Sequence, residues 1–137
     1  MKLNWAERWV VNNPTRVFQQ HVEIKWLRHM MPLKPGATIL EVGCGRGAGA
    51  KLIHRAFKPS QLHILDLDIK MIQGAKTHLS GATKEIMTMY VGDSIDLPFN
   101  SDALDALFGF GFLHHVPNWR RALSEIARVL KSGGVYY

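Results

Sequence analysis

The 137-residue chain has the length of one domain, and it can bury roughly two-thirds of its unfolded surface without disulfide or metal staples. A hydrophobic share of 47% against 20% charged excludes a disordered segment. The formal net charge of +6 is lopsided: residues 1–60 hold 10 Lys/Arg against 3 Asp/Glu, and residues 61–137 hold 7 against 8, which leaves either a solvated basic face or a surface for an anionic partner.

The pattern alternates helix and strand. Trp5 to Val11 is broken by Glu7 and Arg8, so it is no signal-peptide core. Thr15 reads as an N-cap behind Pro14. Phe18, Val22, Trp26 and Met30 then recur every four residues, widened by Val17, Ile24, Leu27 and Met31; this predicts an amphipathic helix ending before Pro32. Pro35-Gly36 makes a turn, Thr38–Val42 a first strand, and Ala48–Phe57 a helix stopped near Pro59. Leu62–Leu65 is a second strand closed by Asp66. Asp68 caps a helix over 69–79, with Gly81 past its end. Ile86–Val91 and Ala103–Phe108 are the third and fourth strands. Asn118 caps a helix through Trp119, Leu123, Ile126 and Leu130; Gly133-Gly134 ends it, and Val135-Tyr136-Tyr137 begins a fifth strand. Such alternation predicts an α/β fold: a doubly wound, mostly parallel Rossmann-like sheet with helices on both faces. Residues 1–35 are expected to form an N-terminal helical cap and residues 36–137 a cofactor-binding core.

The chemistry concentrates in Ile39–Gly47, where an apolar run ends in Glu41 and glycines follow at 43, 45 and 47. Glycine lets backbone press against a ligand, and the next helix offers free N–H groups at its start. Asp66, Gly92-Asp93-Ser94 and Gly109-Phe110-Gly111 follow the next three strands. In an open doubly wound sheet, all four segments converge on one crevice at the carboxyl ends of the strands.

These motifs resemble the class I S-adenosylmethionine-dependent methyltransferases, in the branch acting on small molecules and lipids. The likeness covers roughly residues 36–137. It rests on Glu41-Val42-Gly43-Cys44-Gly45-Arg46-Gly47, on Asp66 with Met71, and on Gly92-Asp93-Ser94 with Leu97-Pro98-Phe99. Leu113-His114-His115-Val116-Pro117 and Leu130-Lys131-Ser132-Gly133-Gly134 complete it. The resemblance implies strand order 3-2-1-4-5 and S-adenosyl-L-methionine as cofactor, with S-adenosyl-L-homocysteine as product. It also implies roles. Gly43, Cys44, Gly45 and Gly47 line the methionine and ribose; Asp66 accepts from both ribose hydroxyls. Leu67 and Met71 pack on the adenine or ribose. Asp93 accepts from the adenine amino group and the Ser94 backbone meets a ring nitrogen. The Gly109 or Phe110 backbone meets the methionine amine, and Glu41 orients the loop or the amine through water.

Plainer readings stand beside these. Asp66 can cap the following helix, Asp93 can close an Asx-turn, and Met71 can belong to the core. Cys44, the single cysteine, reads as a small packed residue in a reducing, cytoplasmic chain. His114 and His115 are candidate general bases or structural residues. The histidines show no metal-site spacing, and no apolar run of about 18 residues is present.

Gly43, Gly45 and Ala48 also fit a loose G-x-G-x-x-A pattern, so a nicotinamide-dinucleotide oxidoreductase is one alternative. A non-catalytic cofactor-binding module, or a fragment completed by a partner, is another. The chain stops inside its fifth strand, where the family continues through two more, so the expected edge invites a homodimer. Trp5, Trp9 and the basic first helix suit peripheral contact with an anionic lipid surface. No recognised motif points to nucleic acid.

Overall fold

The computed structural model describes residues 14–30 and 33–137. Trp5, Trp9, Met31 and the start of the expected cap lie outside them. Helix α1 spans Pro14–Met30, and β1 (Thr38–Val42) leads through the glycine loop into α2 (Ala48–Phe57). After them come β2 (Gln61–Asp66), α3 (Ile69–His78), a short α4 (Ala82–Glu85), β3 (Met87–Val91) and β4 (Leu104–Phe108). A 3₁₀ turn at Leu113–His115, α5 (Trp119–Val129) and β5 (Leu130–Tyr136) complete the order.

The five strands run parallel in the order β3-β2-β1-β4-β5, as expected. Register brings their carboxyl ends level: Val42 pairs Leu65, Asp66 pairs Val91, and Glu41 pairs Phe108. The loops after β1 to β4 therefore open on one edge. Alternate β1 side chains enter opposite core layers. Ile39 packs with Ile24, Ile53, Phe57 and Ile64 beneath α1 to α3, while Leu40 and Val42 pack with Leu107, Ile126 and Val129 beneath α5. By the same alternation Glu41 points into the first layer, under α2.

Four expectations are corrected. Pro14 is the first helical residue, so Thr15 is not the N-cap; proline suits that place because its missing N–H has no intrahelical partner there. The α1 stripe is turned around: Phe18, Val22, Trp26 and Met30 are 52–71% exposed, and Ile24 is buried. At 3.6 residues per turn the Val17–Ile24–Leu27 stripe lies on the opposite side, and Ile24 and Leu27 join the same core layer as Leu52 and Ala56 of α2. Gly81 does not close α3, whose cap is Leu79 donating to the Ala75 carbonyl; Gly81 opens α4 instead. Gly133-Gly134 does not end α5. That helix stops at Val129 because Asp102 and Ala103 donate to the carbonyls of Arg128 and Val129, which pulls the chain straight into β5. Both glycines then sit inside β5, beside a register shift against β4.

The buried face of α5 is Ala122, Glu125, Ile126 and Val129, with Trp119 outside under the Arg120 guanidinium. Glu125 accepts from the Leu97 N–H at 2.9 Å and from Arg128 at 2.7 Å and 2.8 Å. Arg128 in turn donates to the carbonyls of Leu97 and Phe99. The Arg128 hydrogen bond holds the Glu125 carboxyl down at about 2. This network clamps the loop after β3, the one that carries Asp93 and Ser94.

Candidate functional site: a cleft at the carboxyl edge of the sheet

The glycine loop turns sharply because Gly47 takes φ +82°, a left-handed conformation that side chains resist, and because Leu79 Cδ1 lies 2.7 Å from where a Cβ would stand. Gly47 precedes α2 and offers no side-chain cap. The Glu41 carboxyl reaches up from β1 instead and bonds the Ala50 N–H. It lies so close under Gly49 that a Cβ there would overlap Glu41 Oε1. Glu41 is 2% exposed, and its Oε2 is buried with no hydrogen-bond partner among the described residues. Burial first, and the nearby Asp66 carboxylate second, push its carboxyl up to about 8, against the Ala50 N–H.

The structure answers the capping reading of Asp66. That residue does not cap α3; Asp68 does, accepting from the Lys70 N–H at 3.0 Å. Asp66 is a clasp: Oδ2 accepts from Gly45 N–H and Oδ1 from Asp68 N–H, both at 2.9 Å. A carboxylate has about four acceptor sites, so these bonds do not exhaust its capacity to accept from a diol. Burial raises the Asp66 carboxyl; the N–H groups of Asp68, Gly45 and Leu67 pull it down, and the Asp68 charge pushes it up. Asp93 does close an Asx-turn, accepting from Ile95 N–H at 3.2 Å. The Cys44 thiol is buried, and burial plus the charges of Glu41 and Asp66 push it well above its ordinary value, which makes it a packed and inert residue.

A cavity of about 310 Å³ lies along this edge. Gly43, Gly45, Asp66, Leu67, Met71, Asp93, Ser94 and Phe110 all line it, together with His115. A second cavity of about 810 Å³ adjoins it through Gly43, Gly45, Phe110, Gly111 and His115, and extends between the start of α1 and the outer face of α2. Cys44 and His114 line only the second. Glu41, Gly47 and Gly109 line neither. Glu41 sits beneath Gly49, Leu79 covers Gly47, and the Phe112 ring fills the space a Cβ on Gly109 would need. The His114 and His115 rings are 3.9 Å apart between centroids. Among the described residues, no group of three or more His, Cys, Asp or Glu is placed to hold a metal ion.

Sequence reasoning missed Phe112, Ile95 and Val116 as wall residues, and it read Asp68 and Asn118 only as helix caps although both also line the first cavity. A usable signal was their place in the segments that link strand ends to the next helix or strand. Phe112 had a second signal, because the glycines at 43 and 109 leave room for a large neighbour; a Cβ on Gly43 would come 2.8 Å from Phe112 Cβ.

A doubly wound sheet with a glycine loop, a carboxylate at the tip of β2 and an apolar slot defines a nucleoside-binding class of protein. A methyltransferase-domain family model matches residues 40–137. The chain belongs to the class I S-adenosylmethionine-dependent methyltransferases, which sets aside the dinucleotide alternative.

Among curated relatives, it is 37% identical over 101 residues to a fatty-acid O-methyltransferase of Mycolicibacterium smegmatis (74% of this chain, 36% of the relative). It is 31% identical over 114 residues to a sterol 24-C-methyltransferase of Gibberella zeae (81% and 29%). The chain thus spans about a third of the length of the curated relatives it matches. Among solved structures, an S-adenosylmethionine-dependent methyltransferase from Methanococcus maripaludis superposes with a TM-score of 0.83 at 19% identity, over 100% of this chain and 66% of that one. That match shows the fold. A methyltransferase in complex with the Haloferax volcanii Trm112 activator gives 0.77 at 26% identity, over 93% and 55%.

The cofactor fits the residues present. Two buried carboxylates and an orphaned oxygen under the glycine loop favour a ligand that brings positive charge and N–H donors. The residues around Asp66 favour a diol beside a flat apolar ring.

Proposed function

We propose that this chain carries the cofactor half of an enzyme that methylates a lipid or small-molecule acceptor. The observation that carries the reading is the pairing of Asp66 and Glu41 around the glycine loop, with the apolar slot of Leu67 and Met71 beside them. S-adenosylmethionine, when bound, supplies a methyl group already activated on a sulfonium. The protein's part is to bind, orient and exclude water, and orientation is worth on the order of 7–11 kcal/mol.

In this reading Asp66 receives the ribose hydroxyls with its spare lone pairs and Asp93 the adenine amino group. The Ser94 backbone meets the ring, the Gly109 or Phe110 backbone meets the amine, and Glu41 lends negative charge from below. His115 borders both cavities and is better placed than His114 to take a proton from a hydroxyl acceptor. The relatives named for fatty acids and sterols support a lipid acceptor. Titration with S-adenosylhomocysteine is expected to show one site per chain, and radiolabelled methyl transfer is expected to a long-chain acid or alcohol. Absence of binding refutes the reading; binding without transfer to any acceptor class supports a non-catalytic module.

The outward stripe of α1 supports a finer reading, contact with an anionic lipid surface. Exposed Phe18, Val22, Trp26 and Met30 lie beside exposed Lys25 and Arg28, a combination that suits an interfacial helix. No helix among the described residues is long and apolar enough to cross a membrane. Co-sedimentation with phosphatidylglycerol vesicles is expected, with little on phosphatidylcholine, and Trp26→Glu should abolish it. Equal sedimentation of wild type and variant would refute the contact.

A further inference from the structure

The second cavity has a chemistry that the cofactor does not use up. Among the described residues its walls carry Arg46, Lys51 and Arg55, with His78, His114 and His115, and no Asp or Glu. The cations come from different elements. Arg46 stands on the glycine loop with its stem laid across Gly74 of α3, whose Cβ would be 3.1 Å from Arg46 Cγ. Lys51 and Arg55 are four apart on α2 and share the face of Ala48 and Leu52, away from buried Ile53 and Phe57. The first turn of α2 holds no acidic residue that would offset these cations from the helix's own surface. Val17, Leu52 and Phe110 give the cavity apolar stretches between the charges.

We propose that this cavity seats the methyl acceptor and selects one with an anionic group, a carboxylate or a phosphate, on an apolar chain. The proposal rests on the methyl-transfer reading above. A cleft lined by one sign of charge focuses its field and concentrates ligands of the opposite sign. Arg46, Lys51 and Arg55 account for three of the ten Lys/Arg in residues 1–60, so part of the chain's charge asymmetry falls on this one cleft. The cavity meets the cofactor cleft at Gly43, Gly45 and His115, which lets an occupant reach the transferable methyl. The Glu41 carboxyl lies behind Gly49 and Asp66 lines the first cavity, so neither carboxyl is part of the second cavity's wall.

The test uses the full chain with saturating S-adenosylhomocysteine, titrated with decanoate, decyl phosphate and decanol. The two anions are expected to bind at least about tenfold more tightly than the alcohol. Their affinity should fall as ionic strength rises from about 0.05 to about 0.5 M. The ratio of decanoate to decyl phosphate identifies the head group. Lys51→Glu with Arg55→Glu should lose at least about tenfold for the anions while S-adenosylhomocysteine affinity stays within about twofold. Arg55→Gln, a milder change at an exposed position, should show part of the same loss. Decanol binding as well as decanoate overturns the proposal. So does a loss of S-adenosylhomocysteine affinity in the double variant, since the cations then serve the cofactor's own carboxylate. Failure of wild type to bind S-adenosylhomocysteine counts against methyl transfer instead; selective decanoate binding by that chain would still uphold the cavity's preference for anions.

Discussion

Glu41→Gln is expected to flatten the pH dependence of stability and to weaken cofactor binding at the same time. In the folded chain the carboxyl is pushed from its ordinary 4.5 to about 8. Between those values the folded state holds a proton that the unfolded state has lost. Unfolding releases it, so stability falls as pH rises, by up to about 1.4 kcal/mol per unit. The sign is that of a raised carboxyl: the contribution is complete below about 4.5 and is lost on the way to about 8. Denaturant titrations of wild type and variant at pH 5 and pH 8 measure it. The buried amide brings its own constant cost, so the quantity that matters is the difference between the two pH values. That difference should shrink by on the order of 3–4 kcal/mol in the variant, an upper bound for full burial. Equal slopes would show that Glu41 stays ionised.

The same carboxyl couples cofactor binding to pH. A ligand carrying a sulfonium and an ammonium draws the proton off Glu41, so binding releases a proton and tightens with pH up to about 8. Calorimetry in two buffers of different ionisation heat reads that proton directly.

Asp66→Ala is expected to cost S-adenosylhomocysteine affinity at least about tenfold, or about 1.4 kcal/mol, and to destabilise the free protein as well. The second effect follows from the clasp. Removing the carboxylate leaves the Gly45 and Asp68 N–H groups without their acceptor, at about 1–3 kcal/mol for each that stays buried. The gain of an unburied carboxyl offsets part of this, since burial raises Asp66 in the folded state. Asp66→Asn separates the roles. It keeps one carbonyl acceptor and the side-chain shape, so it should retain more of the stability than of the affinity. Thermal melts with and without S-adenosylhomocysteine distinguish the two losses. A variant of Asp66 that binds like wild type would remove the ribose role and leave only the clasp.

Much of this architecture was legible before any coordinates. The limits of α2 were read to the residue, because apolar spacing and Pro59 mark them locally. Asp68 and Asn118 announced themselves as caps by chemistry alone, and both accept the expected N–H groups. The strand ends and the glycine loop placed eight of the proposed contacts around one cavity, since a parallel sheet brings its carboxyl ends to one edge.

Two of the failures have one reason: long-range contacts outvoted local signals. Gly133-Gly134 looked like a helix stop, yet backbone bonds from Asp102 and Ala103 ended α5 four residues earlier. Phe18, Val22, Trp26 and Met30 looked like a buried face. Two apolar stripes run along α1, and periodicity cannot say which one α2 will meet.

The order of the elements was thus determined by the residues in line, through spacing, capping and glycine, and the ligand class was what the resemblance of the motifs implied. The burial of Glu41 under Gly49, the double duty of Asp66 and the cationic second cavity were decided only in three dimensions. Each depends on groups distant in the chain brought within a few ångströms, where burial and charge act and sequence separation counts for nothing.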